Sequence, residues 1–344
     1  SHSLFSEPQV SSKLAETLEY ATGLGMSQLA LCLTDSVTQA CDALGPDHPD
    51  TLASRNSLAG AYRDAGRLDK AIALYEQNLE DAVRFLGLDH PRTLASRFDL
   101  AGAYRAAGRL EEAITLYEQV VAGRSSVLGP DDRGTLTARD DLAATYWEAG
   151  RLEEAITLFK QILDDALRIM GADSPGASTA RLKLADAYRD AGRLDEAVNV
   201  HQQNLDDVAR TMGLDHPDTL TARNQLAGTY RDAGRLDEAI PLFEQNLADS
   251  TRLAGPDHPH TLSSRGTLAS AYRDAGRLDE AIPLFEQDLE DRTRILGPDH
   301  PGTLASRHSL GGAYREAGKL GEAIPLFEQN LTDFIRILGP DRPD

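Results

Sequence analysis

Five of the nine histidines, His48, His90, His216, His258 and His300, recur at one place in a repeated Gly-Pro/Leu-Asp-His-Pro string. Imidazole is a common metal ligand, so such a column suggests zinc. A zinc ion needs each nitrogen at about 2 Å, whereas equivalent points on stacked helical layers lie roughly 10 Å apart. The spacing therefore predicts histidines that order a turn. His258 and His260 share one loop, but two ligands make a poor site. Asp99, Asp140 and Asp141 raise the question of paired carboxylates for acid-base work. No enclosed pocket is evident around them, and they read as a solvated acidic groove. A phosphate loop needs four residues between its first glycine and Gly-Lys-Ser/Thr, but Gly312 to Gly318-Lys319 has five and Leu320 follows. No HExxH, CxxC or nucleophile elbow occurs. The residues therefore predict no catalytic site, no metal site and no cofactor, and exclude an enzyme as the expected reading.

The elements that hold these residues follow from a repeat. Gly45 to Leu86 recurs in register from Gly87, Gly129, Gly171, Gly213, Gly255 and Gly297. The result is seven 42-residue repeats, at 45–86, 87–128, 129–170, 171–212, 213–254, 255–296 and 297–338. Residues 339–344 begin a further repeat and stop. Residues 1–44 match only in apolar spacing, which predicts a degenerate helical pair at the N-terminal end. Ser1-His2 reads as a cloning remnant.

Within a repeat, Leu52, Arg55, Leu58, Ala59 and Tyr62 keep a three-and-four spacing that predicts one helix, A. Its cap is expected at Asp50 or Thr51 beside Pro49, and its end at Gly66. Leu68, Ala71, Ile72, Tyr75, Leu79, Val83 and Leu86 predict a second helix, B, closed by Gly87. Pro241, Pro283 and Pro325 fall early in helix B, where few ladder bonds are lost. One hairpin cannot bury both stripes, so repeats must stack, and the chain is expected to form one elongated domain. The aromatic at Tyr75, Tyr117, Phe159, Phe243, Phe285 and Phe327 fills the space between layers. His201 takes that place in repeat 4 and reads as a buried, hydrogen-bonded imidazole. Asn78, Asn204, Asn246 and Asn330 place an amide near the packing that must find a partner.

The string L-A-x-x-Y, A-G-R-L, E-A-I-x-L-[YF], as in Leu226 to Phe243, resembles the tetratricopeptide repeat. The 42-residue length and the G-x-D-H-P linker resemble its kinesin light chain kind, and GPDHPxTLASR is similar to actinobacterial, hence bacterial, arrays. The resemblance covers Gly45 to Leu338. It implies an all-α, right-handed superhelical solenoid that serves as a non-enzymatic scaffold for peptides and proteins. It also suggests a piece of a longer regulatory protein with a signalling NTPase module upstream.

In that family helix A lines the concave face. The helical period likewise sets Asn56, Ser57, Gly60, Arg63 and Asp64 opposite the packed stripe. Read along the repeats, these positions become Phe98, Asp99, Asp140, Asp141, Trp147, Lys183, Arg189, Asn224, Gln225 and Arg231, the expected ligand groove. Phe98 and Trp147 would anchor apolar groups, although Trp147 has a second reading as packing against the next repeat. Asp99, Asp140 and Asp141 would attract a basic side chain, and Asn224 and Gln225 could bond a peptide backbone. The arginines at the Arg63 position either form a cationic ladder or pair between neighbouring repeats with the acids that follow them.

The formal charge of −20 over 344 residues disfavours nucleic acid and anionic membranes as partners. No apolar run approaches the roughly 18 residues of a membrane span, and the start lacks a signal peptide, so a cytoplasmic location is expected. Cys32 and Cys41, nine apart on one expected helix, stand roughly 13 Å apart on opposite sides and cannot pair. The expected function is binding of a protein or extended peptide. The alternative is self-assembly, with the terminal repeats stacking into a homo-oligomer.

Overall fold

The computed structural model describes residue 45 and residues 48–338. The expected N-terminal pair, both cysteines and the start of an eighth repeat lie outside the described residues. Among the described residues there are fourteen helices and no strand. The chain divides into two compact units, one up to Asp165 and one from Ala166, with the boundary inside a helix.

In the first unit, α1 (Pro49–Asp64), α2 (Leu68–Leu86), α3 (Pro91–Ala106), α4 (Leu110–Val127) and α5 (Arg133–Glu148) follow one another, and α6 (Leu152–Met170) begins. In the second unit come α7 (Pro175–Asp190), α8 (Leu194–Met212), α9 (Pro217–Asp232), α10 (Leu236–Ala254), α11 (Pro259–Asp274), α12 (Leu278–Leu296), α13 (Pro301–Glu316) and α14 (Leu320–Leu338). Odd-numbered helices are the A helices and even-numbered ones the B helices. Within each unit, neighbouring A and B helices pack in sequence order, as tandem helical repeats require.

Helix A does not start where the sequence suggested. Its cap is His48, whose Nδ1 accepts from the Asp50 amide at 3.2 Å, with Pro49 as the first helical residue. His90, His216, His258 and His300 repeat this bond, so each linker histidine caps a helix. Proline explains the shift: it lacks the N–H that needs a partner and has a helical φ already, so the residue before it becomes the cap. Repeats 3 and 4 use Asp132 and Ser174 instead. Helix A ends as expected, with Gly66 at φ 71° and the Arg67 amide reaching back to the Tyr62 carbonyl at 2.8 Å.

The layers are filled by Tyr75, Tyr117, Phe159, Phe243 and Phe285, all buried among alanines such as Ala59, Ala101, Ala227 and Ala269. At four junctions, those where helix B supplies a glutamate, repeats are clasped by a tyrosine of one helix A that donates to that glutamate of the preceding helix B. Tyr104 reaches Glu76 and Tyr272 reaches Glu244, each at 2.5 Å. Burial pushes both phenols up to about 12, and the glutamates add to the shift, so they stay neutral donors. The arginine of A-G-R-L lies over the same ring, 4.2 Å from the Tyr104 centroid for Arg109 and 4.4 Å from that of Tyr272 for Arg277.

The arginine in the helix A stripe has a partner that the stripe alone did not reveal. Arg55 pairs with Asp81 at 2.6 Å, Arg181 with Asp207 at 2.5 Å, Arg223 with Asp249 at 2.8 Å, Arg265 with Asp291 at 2.6 Å and Arg307 with Asp333 at 2.7 Å. Arg139 and Asp165 form the same pair. In repeats 4 to 7 a second arginine, one turn beyond the aspartate, binds both it and the linker aspartate. Arg210 thus holds Asp207 at 2.5 Å and Asp173 at 2.7 Å, and Arg252, Arg294 and Arg336 do likewise. A four-member chain Arg–Asp–Arg–Asp results, tying helix A, helix B and the linker together.

Candidate functional site

Helix A turns the Asn56 position of one repeat and the Ser57 position of the next toward a shared recess, closed behind by helix B. In the first unit a cavity of about 210 Å³ lies among α1, α2 and α3, with Asn56, Asn78, Arg92, Ser96 and Asp99 in its wall. Asn56 donates from Nδ2 to Asp99 at 2.9 Å. Burial raises the Asp99 carboxyl above its usual range, while the Asn56 hydrogen bond and the charges of Arg63 and Arg124 oppose the rise. The Oδ1 atoms of Asn56 and Asn78 are buried with no hydrogen-bond partner.

The rest of the expected groove in this unit is half-buried. Phe98 meets Tyr117 edge-on at 5.5 Å, and the Arg124 guanidinium covers its ring at 4.7 Å. Asp141 lies 3.4 Å from Arg105, which also holds Glu148 of the next helix end at 2.5 Å. That contact keeps the Glu148 carboxyl below the usual range. Trp147 packs edge-on against Phe159, with centroids 6.1 Å apart. Asp140 is half-buried on α5.

In the second unit two equivalent cavities occur. One of about 250 Å³ has Ser178, Leu182, Asn204, Asp207 and Gln225 in its wall, and Ser178 donates to Asn204 at 2.9 Å. Ser178 stands where other repeats carry a leucine such as Leu52 or Leu220. The other cavity, about 570 Å³, is lined by Asn224, Asn246, Ser250, His258, His260 and Ser264 among others. The imidazoles of His258 and His260 stack at 5.2 Å. Asn224 Oδ1 is buried and unpartnered.

Lys183 is half-buried on α7. Arg189 binds Asp232 at 2.7 Å and Asp186 at 3.2 Å, and Arg231 lies 3.9 Å from Asp274. Arg273 stands equally far from Glu316. Arg105, Arg189, Arg231 and Arg273 thus face an acid of the following repeat, the second of the two readings, whereas Arg63, which meets Ala106 there, lies 3.3 Å from Asp64 of its own repeat. Of the expected groove residues, Asp99, Asn224 and Gln225 line cavities, whereas Arg189 and Arg231 are engaged in these pairs.

Three of the four helix B asparagines find partners. Asn330 accepts from Arg307 at 3.0 Å and donates to the Leu304 carbonyl, and Asn246 accepts from Arg223 at 3.5 Å. Asn78 Oδ1 does not. His201 departs from its expectation too: it is 2% exposed, but both ring nitrogens lack a partner. Phenyl rings take the same place in repeats 3, 5 and 6, as Phe159, Phe243 and Phe285. Among the described residues no group of three or more His, Cys, Asp or Glu side chains is placed to hold a metal.

A profile of the tetratricopeptide repeat matches six overlapping stretches, 50–126, 100–168, 141–209, 176–248, 218–290 and 266–334. The chain belongs to the tetratricopeptide repeat family. A Podosopora anserina protein described as a kinesin light chain with nearly identical TPR-like repeats is 32% identical, over 58% of this chain and 95% of that one, with a TM-score of 0.53. The repeats are of this kinesin light chain-like kind, and the fold of each unit is an all-α tetratricopeptide solenoid. BtubC (BKLC) from P. vanneervenii is 19% identical over 80% of this chain and 94% of that one, with a TM-score of 0.51. The apo quorum sensor NprR from B. thuringiensis is 15% identical over 97% and 89%, with a TM-score of 0.55. These two share the fold. A comparison with curated proteins returned no match. Tetratricopeptide repeat proteins are typically protein-interaction scaffolds, and no described helix of this chain is long and apolar enough to cross a membrane.

Proposed function

We propose that the chain is a binding scaffold without catalytic chemistry, and that it takes an extended peptide or a segment of a partner protein along the helix A faces of its repeats. The observation that carries this reading is the buried, unpartnered Asn224 Oδ1 in the wall of the 570 Å³ cavity. A buried acceptor without a donor costs about 1–3 kcal/mol, a cost that an incoming N–H removes. Asn56 Oδ1 repeats the arrangement in the first unit, and an extended peptide presents backbone N–H groups at regular intervals. Asp99, Asp140 and Asp141, within a chain of charge −20, favour a segment with basic residues. Peptides selected from a randomised display library and titrated calorimetrically test this. Asn224→Leu or Asn56→Leu should weaken selected peptides about tenfold. Selection of no peptide, or affinities indifferent to both substitutions, would refute the groove.

A second reading, self-association of two copies, is favoured by α14. Its Leu331 is 62% exposed and Phe334 45%, with Ile335 and Ile337 also open. At the Phe334 position of earlier repeats, Ala82 and Ser250 are covered by the next helix A. Light scattering from micromolar to millimolar concentration decides: a mass that doubles, and returns to monomer on Phe334→Glu, supports assembly, and a constant monomer mass removes it.

A further inference from the structure

Repeat 2 lacks the centre of the four-member charge chain. Arg97 occupies the Arg55 position, but the residue 26 places on is Gly123 instead of aspartate, and the second arginine is replaced by Ser126. Arg97 is 7% exposed and makes no ion pair or hydrogen bond among the described residues. Its nitrogens are not among the fully enclosed unpartnered atoms, so its remaining exposure lies at the guanidinium. Asp89, the outer member of the chain, is present and exposed, and its charge acts on Arg97.

The surroundings have adjusted to the gap. Leu94 leans into the space beside Gly123, where an added Cβ would meet its Cδ2 at 2.5 Å. Thr93 bonds the Ala82 carbonyl at 3.2 Å, whereas Thr51, Thr219, Thr261 and Thr303 bond the first glycine of their own linkers. The linker of repeat 2 is thus held by fewer side-chain bonds. A largely buried arginine whose guanidinium has no directly bonded carboxylate is costly, and an acid placed against the open edge of the guanidinium restores a charge-assisted pair. A bare carboxylate would still face the Asp89 charge. A ligand that carries its own cation beside the carboxylate answers both.

We propose that Arg97 and Asp89 form a zwitterion site, with a ligand carboxylate on Arg97 and the adjacent ligand cation toward Asp89. The site reproduces from outside the Asp–Arg pair that Asp207 and Arg210, Asp249 and Arg252, or Asp291 and Arg294 supply from within. Two sources share this chemistry: a free α-amino acid, and an acid and a base one turn apart on a partner helix.

The Arg97 Nε–H resonance of the full chain, followed by NMR, tests the proposal at fixed ionic strength. The probes are glycine, an alanine-based helical peptide with one Asp-x-x-Arg pair, and acetate and guanidinium as single-charge controls. A saturable shift with glycine assigns the free amino acid, and one with the peptide alone assigns the helix. Each should bind at least tenfold more tightly than either control. Gly123→Asp combined with Ser126→Arg fills the gap and should abolish binding. Should Leu94 prevent that variant from folding, Arg97→Met removes the charge while keeping the stem, and calorimetry should show the same loss. No saturable shift with either probe, equal binding of acetate, or binding that survives Arg97→Met would overturn the site.

Discussion

His201→Phe should stabilise repeat 4 and remove an acid sensitivity that the other repeats lack. The imidazole is 2% exposed, and burial, helped by the charge of Arg189, pushes its pKa from 6.5 down to about 4. The folded chain therefore holds the ring neutral, while the unfolded chain takes up a proton as the pH falls through 6.5. Stability is complete above pH 6.5, declines between 6.5 and 4, and levels off once the folded ring is protonated as well. The displacement corresponds to roughly 3 kcal/mol in full, and about 2 kcal/mol of it is already lost at pH 5. Phenylalanine has no proton to take and fits a place where Phe159 and Phe243 are 1% and 2% exposed. It also removes two unpartnered nitrogens, worth about 1–3 kcal/mol at neutral pH. Urea unfolding and amide exchange in α8, measured for both chains at pH 7, 6 and 5, report the difference. The gap between variant and parent should widen as the pH falls, which separates the imidazole from the carboxylates common to both. Parallel loss of stability in the two chains would refute the reasoning.

Asp249→Ala should cost about 3–5 kcal/mol, because Arg223 is 3% exposed and would be left buried without a counter-charge; denaturant midpoints check it. Asp232→Ala, which removes only exposed pairings, with Arg189 and with Arg231, should cost less than about 1 kcal/mol in the same assay. Phe285→Ala should cost about 3–5 kcal/mol through the cavity left in the stack around Ala269 and Ile282, read by thermal unfolding. Trp147→Ala should weaken a selected peptide at least tenfold while leaving the circular dichroism spectrum unchanged; unaltered affinity would leave the Phe159 contact as its role.

The register of the repeat made the fold legible, because seven copies of two apolar stripes leave few other ways to bury Tyr75, Phe159 or Phe243. The helix ends at Gly66 and Gly87 were legible for the same reason. The cap at His48 was not, since the preference of Asp50 and Thr51 for cap positions concealed the stronger constraint that Pro49 sets. The Arg55–Asp81 pair was also missed. An aspartate late in an amphipathic helix looks like a solvent residue, and only the 26-residue interval, kept in six repeats and broken at Gly123, signals the pairing. The candidate groove was legible as positions but not as surroundings. Whether Asn224 lacks a donor while Arg189 has an acceptor depends on residues one repeat away, and the bonding of His201 depends on what its neighbours fail to offer.

Every link in the Arg181–Asp207–Arg210–Asp173 chain closes within one 42-residue period, whereas the Tyr272–Glu244 clasp joins residue types that repeats 1, 2, 5, 6 and 7 carry at the same places. Excising one of those five periods, or splicing in another, therefore leaves the buried arginine–aspartate pairs whole and lets the clasp re-form where two of them meet. Array length can change by genetic recombination between copies without passing through an electrostatically crippled intermediate.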